Sequence, residues 1–209
     1  MYKTVVHSNA EALQAINALY LKGDMHLDTC FKEGAFYKNS GLFPEIKQDI
    51  KPLLPDVLKI DVTKMQHPRN AVRSVMFDPP WLVSGSGRGT GTKTTVKNKM
   101  AGQYGSFTSA AEMFAFQDKA LFEISRCLIP GGWLVTKVQD CSYGRQKYFL
   151  SIYQVNKARE LGLDLVDSFI LVSKNRMRSA TAGRLSAISQ HCFFMVFRKG
   201  ERKKRIVRY

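Results

Sequence analysis

Short apolar runs that stop at an acid recur along this chain and constrain its fold more than any other feature. His26-Leu27 runs into Asp28, Val57-Leu58-Lys59-Ile60 into Asp61, and Ser74-Val75-Met76-Phe77 into Asp78. Gly132 to Val138 runs into Gln139-Asp140, and two more runs cover 169–172 and 192–197. Each has strand length, and several are rich in β-branched or aromatic residues. Stretches with helical spacing lie among them. Residues 9–22 form the first, with Ser8 or Asn9 as N-cap and Gly23 as a stop. The second spans 107–127 and the third 146–161, closed by Gly162. Strands alternating with helices predict an α/β fold with a doubly wound, mostly parallel sheet. In such sheets ligands gather beyond the carboxyl ends of the strands, where these acids stand.

The length of 209 residues fits one domain, 1–209, and the 44% hydrophobic fraction allows a sizeable core. No apolar run approaches the roughly 20 residues of a membrane span. The N-terminus is too short and polar for a secretory signal, so a soluble cytoplasmic protein is expected, with no membrane partner. None of the four cysteines belongs to a close C-x-x-C pair or sits at zinc-ligand spacing from a histidine. They read as buried free thiols, and no metal is expected. The net charge of +15 is large for this length and points to a polyanion, because Lys and Arg displace counterions from phosphates. A solubilising surface or affinity for an anionic membrane is the alternative. The cations concentrate in three places. The segment 84–105 is rich in Gly, Ser and Thr and carries Arg88, Lys93, Lys97 and Lys99. The segment 174–190 carries Arg176 and Arg178, and a basic tail runs from 198 to 209.

The most specific local signal is Val75-Met76-Phe77-Asp78-Pro79-Pro80-Trp81-Leu82. An apolar strand ends in Asp, and two prolines lock the backbone that follows. A carboxylate, a carbonyl and an aromatic face are presented together at one strand end. A plain strand end followed by a Pro-Pro turn is the alternative. The tetrapeptide resembles motif IV of the amino-methyltransferases, which modify adenine N6 or cytosine N4 through D/N/S-P-P-[Y/F/W]. The resemblance implies catalytic roles for Asp78, Pro79, Pro80 and Trp81. Asp78 and the Pro79 carbonyl would accept the two protons of an exocyclic amine, and Trp81 would stack on an unpaired or rotated base.

Upstream, Met25-His26-Leu27-Asp28-Thr29-Cys30-Phe31-Lys32-Glu33-Gly34-Ala35-Phe36-Tyr37 resembles the first motif of the same enzymes. It keeps one glycine where D-x-F-x-G-x-G has two. The segment is also similar to that of small phage and prophage DNA methylases. The resemblance implies that Asp28, Thr29, Cys30, Gly34 and Phe36 bind S-adenosyl-L-methionine, with Asp49 on its ribose and Asp61 on its adenine, a surface or capping Asp being the alternative for the last two. Gly34 would let the backbone approach the cofactor without a Cβ clash. Lys137 and Gln139 are candidates for the target pocket, Trp133 for the core.

Together these readings imply a class I, Rossmann-like methyltransferase with a seven-strand-type sheet. The expected reaction is methyl transfer to adenine N6 in DNA, with cytosine N4 or RNA adenine N6 as alternatives. The segment 84–105 would be a lid over the target base, and Arg88, Lys93, Lys97, Lys99, Arg176 and Arg178 would contact phosphates. A catalytically silent nucleic-acid-binding module is the rival motivated by the single glycine. A small-molecule or protein-amine methyltransferase is a third reading. Recognition sequence and oligomeric state are not legible.

Overall fold

The computed structural model describes residues 2–83, 106–143, 146–172 and 191–200. In chain order the elements begin with β1 (Val5–Val6), α1 (Asn9–Ile16), β2 (Leu27–Asp28), β3 (Ile46–Asp49), β4 (Leu58–Lys59) and β5 (Val72–Phe77). They continue with α2 (Ala110–Cys127), β6 (Leu128–Val138), β7 (Cys141–Tyr143) and β8 (Gln146–Tyr148). The last are α3 (Leu150–Glu160), β9 (Leu163–Val172) and β10 (His191–Lys199). The N-terminal caps of α1 and α2 follow one local rule. Ser8 and Ser109 accept from the backbone N–H of Glu11 and Glu112, and each glutamate reaches back to the N–H of the residue before its serine. At the end of the first helical stretch, a single wide turn over Asn17–Leu21 precedes Lys22 and Gly23, both with positive φ.

Among the described residues, eight strands form one sheet in the order β1-β9-β10-β6-β5-β2-β3-β4. All pairs are parallel except those of β10, which is antiparallel to both β6 and β9. Successive side chains alternate across the sheet and so feed two separate cores. Val75, Phe77, Leu134, Met195 and Phe197 join the cluster with α2 and α3. Met76, Val135, Phe194 and Val196 join the cluster with α1 and the aromatic loop after β2. Burial on both faces is why β5 reads as an almost unbroken apolar run.

The chain leaves β2 outward through β3 and β4, then crosses back so that β5 pairs with the other edge of β2. The β2–β5 boundary is therefore the topological switch point. No helix among the described residues is long and apolar enough to cross a membrane.

Several expectations change. The seven-strand-type sheet gains an eighth member, because Val5–Val6 pairs with Ile170–Leu171 at the edge. Residues 146–148 are not helical. They pair with Cys141–Tyr143, and the helix starts only at Leu150. The second helical stretch starts at Ala110, since Phe107 bridges to Val83 instead. β4 is limited to two residues, and β9 starts well before Phe169. β6 starts at Leu128, before the Pro130-Gly131-Gly132 turn chemistry that suggested a later start. That turn is absorbed as an irregularity. Val72 pairs with Leu128 but Ser74 with Trp133, so β6 carries extra residues opposite Arg73.

Gly132 sits in this irregularity, where a Cβ would come within 2.8 Å of the Arg73 carbonyl oxygen and 2.9 Å of that of Ile129. Both obstacles are backbone and cannot swing away. Gly132→Ala is therefore expected to destabilise the fold by about 2 kcal/mol, read as a lowered urea midpoint with an unchanged slope.

Candidate active site

Parallel pairing sets the geometry. Asp28 ends β2 opposite Met76, so Asp78 stands just past the end of the neighbouring strand. On the other side Asp28 is opposite Lys47, and Asp49 ends β3. The ends of β5, β2 and β3 thus bring Asp78, Asp28 and Asp49 to one edge of the sheet, at the switch point.

Asp28 is only 3% exposed. Its Oδ1 accepts the Cys30 N–H at 2.7 Å and its Oδ2 accepts the Tyr37 hydroxyl at 2.6 Å. Burial pushes its carboxyl up to about 7 against these two bonds, and the nearby charges of Asp78 and Asp49 add to the rise. Burial and Asp28 likewise push the Tyr37 hydroxyl and the Cys30 thiol well up. Thr29 is buried at this edge. Its N–H and hydroxyl both donate to the Met76 carbonyl, which pins the loop to β5. Asp49 accepts the Lys32 N–H at 3.0 Å and the Lys51 N–H at 2.8 Å.

The loop after β2 is an aromatic pack. Phe31 stacks on Tyr37 and meets Phe43 edge-on, while Phe36 stacks on Phe194 of β10. Gly34 has φ +76, and a Cβ there would lie 2.6 Å from the Phe31 ring. The positive φ and the Phe31 ring both favour glycine at this turn. Asp61 serves as a cap through one of its two oxygens. Its Oδ1 caps the turn Val62–Lys64 by accepting the Thr63 N–H and hydroxyl, both at 2.8 Å.

Asp78 is half-buried and Pro79 buried. Trp81 is half-buried, resting partly on the α2-side core. Across from Asp78, the Lys137 ammonium lies 3.7 Å from Oδ2. Burial pushes the Asp78 carboxyl up, Lys137 pulls it down, and burial prevails. Tyr37 and Phe194 have no role in the sequence reading, although Tyr37 closes the segment that begins at Met25 and an aromatic pair in a strand is visible in Phe193-Phe194. Trp133, expected in the core, packs partly buried against Tyr20 with the Arg198 guanidinium over its ring. Arg88, Lys93, Lys97, Lys99, Arg176 and Arg178 lie outside the described residues, as does most of the tail.

A cleft of about 330 Å3 lies by the start of β5, at the other strand end, and is lined by Arg69, Asn70, Arg126 and Lys199 among others. Two of its cations serve structure. Lys199 donates to the carbonyls of Ser125 and Leu128, and Arg126 to those of Met65 and His67 as well as to Glu123.

No protein-family model matches the sequence, and no curated protein matches it. Solved structures do resemble the fold. The 1,6-didemethyltoxoflavin-N1-methyltransferase of Burkholderia thailandensis, bound to S-adenosylhomocysteine, is 13% identical over 93% of this chain and 80% of its own, with a TM-score of 0.50. The [4+2]-cyclase SpnF is 14% identical over 90% and 82%, with a TM-score of 0.52. The fold is that of the class I methyltransferases. TTHA0409 of Thermus thermophilus, assigned as a DNA modification methylase and solved with S-adenosyl-L-methionine, is 19% identical with a TM-score of 0.46. It aligns over 69% of this chain, which spans about half (55%) of the length of TTHA0409. Within the class I fold a cyclase and a methyltransferase share one frame, so the chemistry rests on the strand-end residues.

The raised Asp28 carboxyl has a measurable consequence. Its folded value, about 7, exceeds the ordinary 3.8. Between those pH values the folded state retains a proton that the unfolded chain has lost. Stability from this group is therefore full below about 3.8 and is lost as pH rises to about 7. Asp28→Asn removes the titration and keeps a polar partner for Tyr37. The variant should gain on the wild type by on the order of a few kcal/mol from acid to neutral pH, read by urea unfolding across that window.

Proposed function

We propose that this chain is an S-adenosyl-L-methionine-dependent methyltransferase acting on the exocyclic amine of a nucleic-acid base, with adenine N6 in DNA as the favoured target. The observation that carries this reading is Asp78-Pro79-Pro80-Trp81 standing at the switch point, one strand from Asp28. The tetrapeptide resembles motif IV of the amino-methyltransferases.

The residues at the β2 and β3 ends fit the cofactor. An ionised carboxylate has about four acceptor positions, and the protein donors named above leave some of them on Asp28 and Asp49. Asp49 is suited to the ribose hydroxyls, and the turn from Cys30 through Gly34 to Phe36 to the methionine portion. Asp61 keeps one oxygen for an adenine amine, and Thr29 contributes by fixing the loop. When bound, the cofactor supplies a methyl group on a sulfonium, an electrophile that needs an incoming lone pair. The chain's own residues make that lone pair available. An exocyclic amine is a weak nucleophile while its nitrogen is conjugated with the ring. Asp78 accepts one N–H and the Pro79 carbonyl the other, which favours a pyramidal nitrogen, and Asp78 is placed to take the proton released on transfer. Pro80 stiffens the turn, and Trp81 offers an aromatic face to the base.

The charge of +15 supports a polyanionic substrate. Arg88, Lys93, Lys97, Lys99, Arg176 and Arg178 are the proposed phosphate contacts, and 84–105 the proposed lid, within a single domain. The same tetrapeptide serves cytosine N4, and the same charge serves RNA. The silent-module reading draws on the single glycine and on Tyr37 already occupying an Asp28 oxygen.

Labelled cofactor incubated with DNA and RNA, followed by nucleoside analysis, identifies the product directly. N6-methyladenine in DNA is the expected result. Cytosine N4 or RNA as sole product moves the substrate, and calorimetry without cofactor binding establishes the silent module. Asp78→Ala should lower transfer by at least about 100-fold while cofactor affinity changes little. Trp81→Ala should chiefly raise KM for the nucleic acid.

A further inference from the structure

Lys137 belongs to β6 and is in register with Phe194 of β10. Its ammonium lies 5.2 Å from the centre of the Phe36 ring and 5.8 Å from that of Phe194. Those rings are themselves stacked, 5.8 Å apart and 28° from parallel. The cation is thus fixed by the loop after β2 on one side and by β10 on the other, each ring face attracting it.

The distance to Asp78 is informative. At 3.7 Å the pair is an ion pair but too long for a hydrogen bond. A lysine has a flexible stem and three donors, and an unrestrained one would close onto the carboxylate and use up an acceptor position. The rings hold Lys137 where its charge acts on Asp78 while the carboxylate lone pairs stay open.

We propose that Lys137 is a positioning residue for methyl transfer, held by Phe36 and Phe194 so that it keeps Asp78 a carboxylate with an oxygen open to the substrate amine. The inference rests on the methyl-transfer reading above and adds the device that keeps its proton acceptor competent. The need follows from the surroundings. From β2 and its loop, Asp28, Cys30 and Tyr37 lie near Asp78. Asp49 of β3 acts on Asp28 and Cys30, and Cys192 lies near Asp78 from β10. All are acidic groups or weak acids, so they add no positive charge, and burial already favours the protonated form of Asp78. Among the described residues, Lys137 is the cation that forms an ion pair with Asp78.

The test compares wild type, Lys137→Gln and Lys137→Arg at saturating cofactor and nucleic acid, with circular dichroism to verify folding. In Lys137→Gln the acid limb of the kcat–pH profile should move up by about one pH unit or more. Turnover on that limb should fall about tenfold and recover as pH rises. Lys137→Arg should return the limb towards its wild-type position. Carboxyl-carbon NMR of 13C-aspartate protein, with Asp78 assigned through Asp78→Asn, should show the same upward displacement without any substrate. An active wild type whose limb and Asp78 titration stay put in Lys137→Gln overturns the role of Lys137 alone. A wild type that methylates no nucleic acid overturns the proposed function and the inference with it.

Discussion

Two carboxylates, Asp28 and Asp78, project from adjacent parallel strands into the same poorly solvated place, and burial, more than their mutual repulsion, governs both. Taking charge out of water is costly unless it is paired or neutralised. The two acids use different means. Asp28 accepts from a backbone N–H and a phenol and has its carboxyl raised towards neutrality. Asp78 faces an ammonium instead. Two chemically identical side chains one strand apart thereby acquire different characters, one a fixed part of the loop, the other an open acceptor. Environments that drive like groups apart are a recurring way to divide labour within a site.

The aromatic loop between β2 and β3 links that division to the rest of the fold. Tyr37 reaches Asp28, and Phe36 reaches Lys137 and Phe194. Gly34 is the turn that lets Phe31 fold back over its own backbone. Around that turn the loop is filled with rings. The class I frame supports both cyclisation and methyl transfer, so it fixes where a reaction can occur and leaves its kind to these side chains.

Much of this was legible in order and spacing. The acids that end strands, the helix cap at Ser8 and the parallel core all follow from local runs whose hydrophobic period is visible. The misreadings share a cause. Gln146-Lys147-Tyr148 has no strand signature of its own and becomes a strand only because Cys141–Tyr143 lies opposite. Val5–Val6 is too short to declare itself and is recruited by the edge of β9. Asp61 looks the same in sequence whether it binds a ligand or caps a turn. Its Oδ1 bonds to the Thr63 N–H and hydroxyl show the cap and leave Oδ2 outside it.

By itself the sequence determined which segments could be strands or helices, and it placed an acid, two prolines and an indole at the end of one buried strand. Those properties depend on near neighbours in the chain, where backbone restriction and side-chain period act directly. Only the tertiary structure decided that β5 returns beside β2, that Tyr37 bonds Asp28, and that Lys137 stands over Phe36 and Phe194 opposite Asp78. Most of these contacts join residues tens of positions apart. Their energies depend on burial and distance, which exist only once the sheet has closed around them.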